Sequence, residues 1–154
     1  MIADDELADA YLPYSGKNKR SWDREIRSAK HLVAVFSGKW LTAIAPADIE
    51  RYKALRQSAT DSHGRIPKPA TINRELACLG AMFNVARKGL LYLPGRVPNE
   101  NPVSNVKFFD EHNIRDRVWT ADEFHRMLNA SPGHLKPILQ CACYTGMRQG
   151  EVLA

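Results

Sequence analysis

The chain lacks the features that would place it in a membrane or an oxidising compartment. Its 154 residues include three cysteines, Cys78, Cys141 and Cys143, an odd number with no Cys-x-x-Cys spacing. That argues against a disulfide framework or a zinc site and for a reducing compartment, with all three thiols expected as small buried hydrophobes. No run approaches the roughly 18 to 20 apolar residues that cross a bilayer. The first residues, Met1-Ile2-Ala3-Asp4-Asp5-Glu6, are acidic and lack the apolar stretch of a secretory signal. His31, His63, His112, His125 and His134 have no metal-ligand spacing, so none is read as a ligand. Internal repeats and low-complexity tracts are absent, and strand content is expected near zero.

What the chain does have is an uneven charge. The net +5 divides into −4 over residues 1–16, which carry four acids and no base, and +10 over residues 17–107, with 17 Lys/Arg against 7 Asp/Glu. Residues 108–154, with 5 bases and 6 acids, carry −1. A basic middle segment is the electrostatic footprint of a polyanion partner, although a merely solvated basic face would look the same.

The apolar pattern is helical almost throughout. A short acidic helix is expected over Asp4–Tyr14, carrying Leu7, Ala10 and Tyr11, with Pro13 near its end and a basic turn over Ser15–Arg20. Trp22, Ile26, Ala29, Val33 and Phe36 recur at helical spacing, so a helix over Ser21–Ser37 stops at Gly38. Arg20, Arg24, Arg27 and Lys30 lie mostly off that stripe and are available to a partner. Leu41 and Ile44 suit a short extended link packed on the core. Pro46 suits a first helical position, followed by Ile49, Tyr52 and Leu55 up to about Gln57. Ser58–Pro69 reads as a loop. Ile72, Leu76, Leu79, Phe83 and Ala86 form the buried stripe of a long helix, Ala70–Lys88, ended by Gly89.

Leu90–Pro102 is irregular, with Asn101-Pro102 resembling a cap and first helical position. The charged stretch Asp110–Val118 is the best candidate for an interdomain linker. Thr120 and Glu123 form a capping box for a helix bearing Phe124, Met127 and Leu128. A further helix from about His134 carries Leu135, Ile138, Leu139 and Ala142. After Thr145-Gly146 a last helix starts near Met147 and stops inside its apolar pattern at Ala154, as a truncated chain would. Phe124, Met127, Leu135 and Ile138 are then expected to be partly exposed and to invite self-association.

One string stands out: Tyr144-Thr145-Gly146-Met147-Arg148-Gln149-Gly150-Glu151-Val152-Leu153. Gly146 permits a sharp turn and Arg148 falls in the first helical turn after it. A cation there opposes the helix dipole and calls for an anionic partner. Glu151, three residues on, is one candidate, which would make a plain surface ion pair. A phosphate gripped by the guanidinium fork is the other.

Thr-Gly-Met-Arg-x-Gly-Glu resembles the first conserved box of the tyrosine recombinases, the phage-integrase family of site-specific recombinases. Thr71-Ile72-Asn73-Arg74-Glu75-Leu76-Ala77 is similar to a stretch of that family's core-binding domain. Ala81-Met82-Phe83-Asn84-Val85-Ala86, Asn101-Pro102 and Arg117-x-x-Thr120-x-x-Glu123 follow in the family's order. The resemblance implies an all-α fold: a SAM-like helical bundle, the core-binding domain, over residues 1–108, a linker over 109–118, and the first helices of a truncated catalytic domain over 119–154.

It further implies that Arg148 contacts the scissile phosphate, supported by Glu151, and that Lys17, Lys19, Arg20, Lys68, Thr71, Asn73, Arg74 and Lys107 contact DNA. Thr71 could equally be an N-cap, and Arg74 an intrahelical pair or a solvated side chain. The implied partner is double-stranded attachment-site DNA, bound by a full-length tetramer in the cytoplasm at the nucleoid, with no cofactor and no membrane. The family cuts and rejoins DNA through a phosphotyrosine. Tyr11, Tyr14, Tyr52, Tyr92 and Tyr144 lie in the wrong context to be that nucleophile, so this chain alone is expected to bind DNA without cleaving it. Two alternatives remain: a non-enzymatic DNA-binding accessory factor or regulator of the same architecture, and a helical bundle for protein–protein contact.

Overall fold

The computed structural model describes residues 4–60, 64–93, 97–111 and 117–154. Asp61-Ser62-His63 of the expected loop, and His112, Arg115 and Asp116 of the expected linker, lie outside the described residues. Among the described residues the chain is all-helical, with no strand and no helix long and apolar enough to cross a membrane. It divides into two compact units, Met1–Glu111 and His112–Ala154. Phe109, Asp110 and Glu111, expected as linker, belong to the first.

In the first unit, helices α1 (Asp4–Asn18), α2 (Trp22–Phe36), α3 (Pro46–Ser58) and α4 (Pro69–Arg87) pack around one core. The stripe on α4 is buried as its period requires: Ile72, Leu76, Leu79, Phe83 and Ala86 all leave solvent. Leu7 and Tyr11 of α1, Leu32 and Phe36 of α2, and Ile49 and Tyr52 of α3 join the core, with Phe36 stacked on Tyr52 at 5.5 Å between ring centroids. Each large apolar side chain so buried contributes about 1.5–3 kcal/mol. Gly38 and Gly89 adopt positive φ just after α2 and α4, where a side chain would be strained.

Several expectations are corrected. Pro13 lies inside α1, which runs on to Asn18 instead of turning at Ser15. The proline forfeits one backbone bond. The helix nevertheless continues through Ser15, which is buried, donates its hydroxyl to Glu25 and accepts at its carbonyl from the Lys19 N–H at 2.8 Å. On α2, Leu32 is buried whereas Trp22 and Ile26 are largely exposed, so the buried stripe is rotated from the expected one. Leu55 is exposed as well. Leu41 and Ile44 are buried as expected, but Leu41–Ala43 is a 3-10 turn. Pro102–Asn105 forms another, capped by the Asn101 side chain, which accepts from the Val103 N–H and donates to the Gly80 carbonyl of α4.

The second unit holds α5 (Ala121–Ala130), a 3-10 turn at Gly133–Leu135, α6 (Lys136–Thr145) and α7 (Gln149–Val152). The capping box forms as read: Thr120 Oγ1 accepts from the Glu123 N–H, and Glu123 accepts from the Thr120 N–H. Those bonds, the Thr120 N–H first and then Arg117, hold the Glu123 carboxyl below its ordinary range. Phe124 and Leu128 are buried. Cys141 and Cys143 are exposed; only Cys78 is the buried thiol expected of all three. No residue of α6 is buried, so neither thiol finds a core to enter.

Candidate nucleic-acid interface

On α2, Arg24, Arg27, Ser28 and His31 recur at three and four residues and so share one side of the helix. On α4, Lys68, Thr71, Arg74 and Glu75 do the same from the N-cap inward. Between these two rows runs a recess of ≈ 320 Å³ lined by Arg24, Arg27, Ser28, His31, Thr71, Arg74 and Glu75. It adjoins a second recess of ≈ 480 Å³ lined by His31, Arg56, Thr60, Arg65, Ile66, Pro67, Lys68 and Thr71. His31 and Thr71 line both, which makes one groove.

The groove holds six cationic side chains, Arg24, Arg27, Arg56, Arg65, Lys68 and Arg74, against one carboxylate, Glu75. Glu75 is already satisfied. Arg56 grips it through two bonds, Nε to Oε2 at 2.9 Å and Nη2 to Oε1 at 2.7 Å, and the Tyr52 hydroxyl donates to Oε2 at 2.7 Å. The hydrogen bond to Glu75 holds the Arg56 guanidinium further above its already high range. Burial, then the bond to Glu75, pushes the Tyr52 hydroxyl well above the usual phenol range, so it remains a donor. Arg24, Lys68 and Arg74 are exposed and have no ion-pair partner among the described residues. Cations crowded along a concave wall focus their field outward and attract polyanions.

The start of α4 differs from expectation. Its N-cap is Lys68, with no side-chain cap bond, and Thr71 lies three residues inside. Pro69 has no N–H, and the Thr71 and Ile72 N–H groups both donate to the Lys68 carbonyl at 2.8 and 3.3 Å. The side chains of Lys68, Thr71 and Arg74 line the groove, and of the backbone N–H groups at this helix start those of Thr71 and Ile72 are already engaged.

The other candidate residues fall elsewhere. Lys17 and Arg20 are exposed around the end of α1. Lys19 is drawn inward: its ammonium donates to the Tyr11 hydroxyl at 2.7 Å and to Glu25 at 2.6 Å. Burial alone would lower the Lys19 pKa, but the Glu25 and Tyr11 bonds outweigh it and push it up to about 12. Asn73 is buried and bonded to Phe109 and Glu111 inside the fold. Lys107 is exposed, with its carbonyl accepting from Lys53. Arg24 and Arg27 emerge as groove residues; their off-stripe spacing was the available signal. Arg56 and Arg65 carried none.

In the second unit Gly146, at φ 67, ends α6, and Arg148 sits at the N-cap of α7, one position before the expected first turn. Its backbone N–H donates to Glu151 Oε2 at 2.8 Å and its Nη1 to Oε1 at 3.3 Å. Of the two partners open to Arg148, Glu151 is engaged here. Both side chains are exposed, so the guanidinium remains accessible.

The chain is 25% identical over 146 residues to the integrase of Escherichia phage P2. The match spans 95% of this chain and 40% of that integrase. No family model and no solved structure matches. The similarity runs along nearly the whole of this chain, which spans less than half the length of that integrase.

Proposed function

We propose that residues 17–107 bind double-stranded attachment-site DNA for a tyrosine site-specific recombinase of the phage-integrase type. The arginine-lined groove between α2 and the start of α4 carries this reading, because Arg24, Arg27, Lys68 and Arg74 are exposed and its one carboxylate is already paired with the partly buried Arg56. Lys68 and Arg24 neutralise backbone phosphates, which position the protein on the duplex. Thr71 and Arg74 project from the same helical rows and can reach base edges, an arginine fork matching the O6 and N7 acceptors of guanine. The first unit of the chain would then be the SAM-like core-binding domain. In the complete enzyme, a tetramer on DNA, Arg148 would exchange the exposed Glu151 bond for the scissile phosphate and stabilise the charge that develops there. The cut strand would be held as a phosphotyrosine, so no metal or nucleotide cofactor enters.

The test is a fluorescence-anisotropy titration of the whole chain with a labelled duplex at several salt concentrations. The logarithm of the binding constant should fall linearly with the logarithm of salt, by roughly 0.9 per phosphate contacted. Arg74→Ala should weaken binding and reduce that slope by about 1 if its contact is to phosphate, or leave the slope and relax sequence preference if it reads a base. Absent or salt-independent binding would sink the reading.

A further inference from the structure

Two buried polar side chains, one on α3 and one on α4, serve neither the core nor the groove. Lys53 of α3 is buried; its ammonium donates to the Lys107 carbonyl at 2.7 Å and to Glu50 at 3.0 Å, and lies 4.7 Å from the centre of the Phe109 ring. Asn73 of α4 donates to the Phe109 carbonyl at 2.8 Å and to Glu111 Oε1 at 2.7 Å, and accepts from the Phe109 N–H at 2.9 Å. Its amide thus takes both backbone groups of Phe109, as a neighbouring strand would. Burying an ammonium and an amide is costly without such bonds. Here both are committed to 107–111, a non-helical stretch ending where the first unit ends.

The same turns of α3 and α4 serve the groove. Arg56 lies three residues from Lys53, and Thr71, Arg74 and Glu75 all lie within two residues of Asn73. We propose that Lys53 and Asn73 form a latch on residues 107–111, fixing how the chain leaves the first unit, and that nucleic acid in the groove tightens it. The tightening rests on the DNA-binding reading above; the latch does not. Pro69 suits the first helical position, but no side chain caps the free N–H groups behind it, so the first turns of α4 are where the helix opens most readily. Opening there releases Asn73. A polyanion held by Thr71 and Arg74 fixes those turns and opposes the opening.

Hydrogen–deuterium exchange of the whole chain, free and saturated with duplex, tests both parts. In the free chain, Asn73→Ala and Lys53→Met should each speed exchange at 107–111 by about tenfold, the scale of a lost local hydrogen bond. Asp9→Ala, on the exposed side of α1, should leave it unchanged. Lys53→Met keeps the test decisive if Asn73→Ala unfolds the unit. Duplex should slow exchange of the wild-type stretch by about fivefold. Coupling is reciprocal, so Asn73→Ala should weaken duplex binding by up to the same factor. Unchanged free-state exchange in both latch variants overturns the latch. Duplex that binds without slowing exchange overturns the tightening alone. Duplex that does not bind removes the tightening together with the DNA-binding reading, while the free-state comparison still decides the latch.

Discussion

The two units hold the same kinds of side chain in different surroundings. In the first, all four helices send large residues into one core: Leu7 and Tyr11, Leu32 and Phe36, Ile49 and Tyr52, Leu76, Leu79 and Phe83. In the second, Phe124 and Leu128 are the buried hydrophobics among the described residues, while Val118, Trp119, Leu135 and Met147 stay exposed. The contrast extends to the ion pairs. Arg56 and Glu75 meet at 2.7 Å with side chains 14% and 3% exposed, whereas Arg148 and Glu151 meet at 3.3 Å with side chains 88% and 53% exposed. Identical chemistry thus does different work: one pair is part of the fold, and the other leaves its arginine accessible to a ligand.

Three substitutions probe that contrast. Glu75→Ala should destabilise the first unit by about 3–5 kcal/mol, since it leaves Arg56 and the Tyr52 hydroxyl without their partner in a buried place. Urea unfolding of the whole chain measures it, and a loss under 1 kcal/mol would erase the difference between the pairs. Glu25→Gln should cost about 1.5–3 kcal/mol at neutral pH, because the carboxylate accepts from Ser15 and Lys19.

This effect has a pH signature. Burial raises the Glu25 carboxyl, but bonds from Lys19 and Ser15 outweigh it and leave its pKa lowered. Its contribution is therefore present above the unfolded value of about 4.3 and is lost as pH falls through the folded one. The Lys19 contribution has the opposite sense: present below about 10.4, lost as pH rises through about 12. Acid titrations of stability should show a shallower loss in Glu25→Gln than in the wild type. Smallest of all, Arg148→Ala should change stability by less than about 0.5 kcal/mol, as exposed pairs do. A larger loss in the same urea assay would mean that the second unit depends on this pair for its fold.

The parts legible in sequence are those governed by neighbours along the chain. The stripe from Ile72 to Ala86, the Thr120–Glu123 box, Pro46 at a helix start and the glycine stops at Gly38 and Gly89 all follow from local spacing, and the structure contains each. Residues whose roles depend on distant partners were not legible. Nothing near Asn73 announces Phe109, 36 residues away, so its amide read as a DNA contact and its internal bonds went unforeseen. Lys19 read as a DNA contact, and its internal partners were not foreseen because Tyr11 and Glu25 meet it only once α1 and α2 pack. Pro13 read as lying near a helix end because its local cost is visible in the sequence, whereas the bond from Ser15 to Glu25 that ties the rest of α1 to α2 is not. For the groove, each row of cations could be read along its helix, but that α2 and α4 face each other could not.

The buried trio of Tyr52, Arg56 and Glu75 also bears on how α3 and α4 come together. Its members lie 19 and 23 residues apart in sequence, so it closes only when the two helices dock in register. Slide one helix by a turn and a carboxylate enters the interior without its guanidinium, a penalty that hydrophobic contacts alone would not impose. Apolar stripes tolerate small slips; this trio does not. It works as a checkpoint on assembly, favouring one register of α3 against α4 and fixing where Arg56 stands at the edge of the groove.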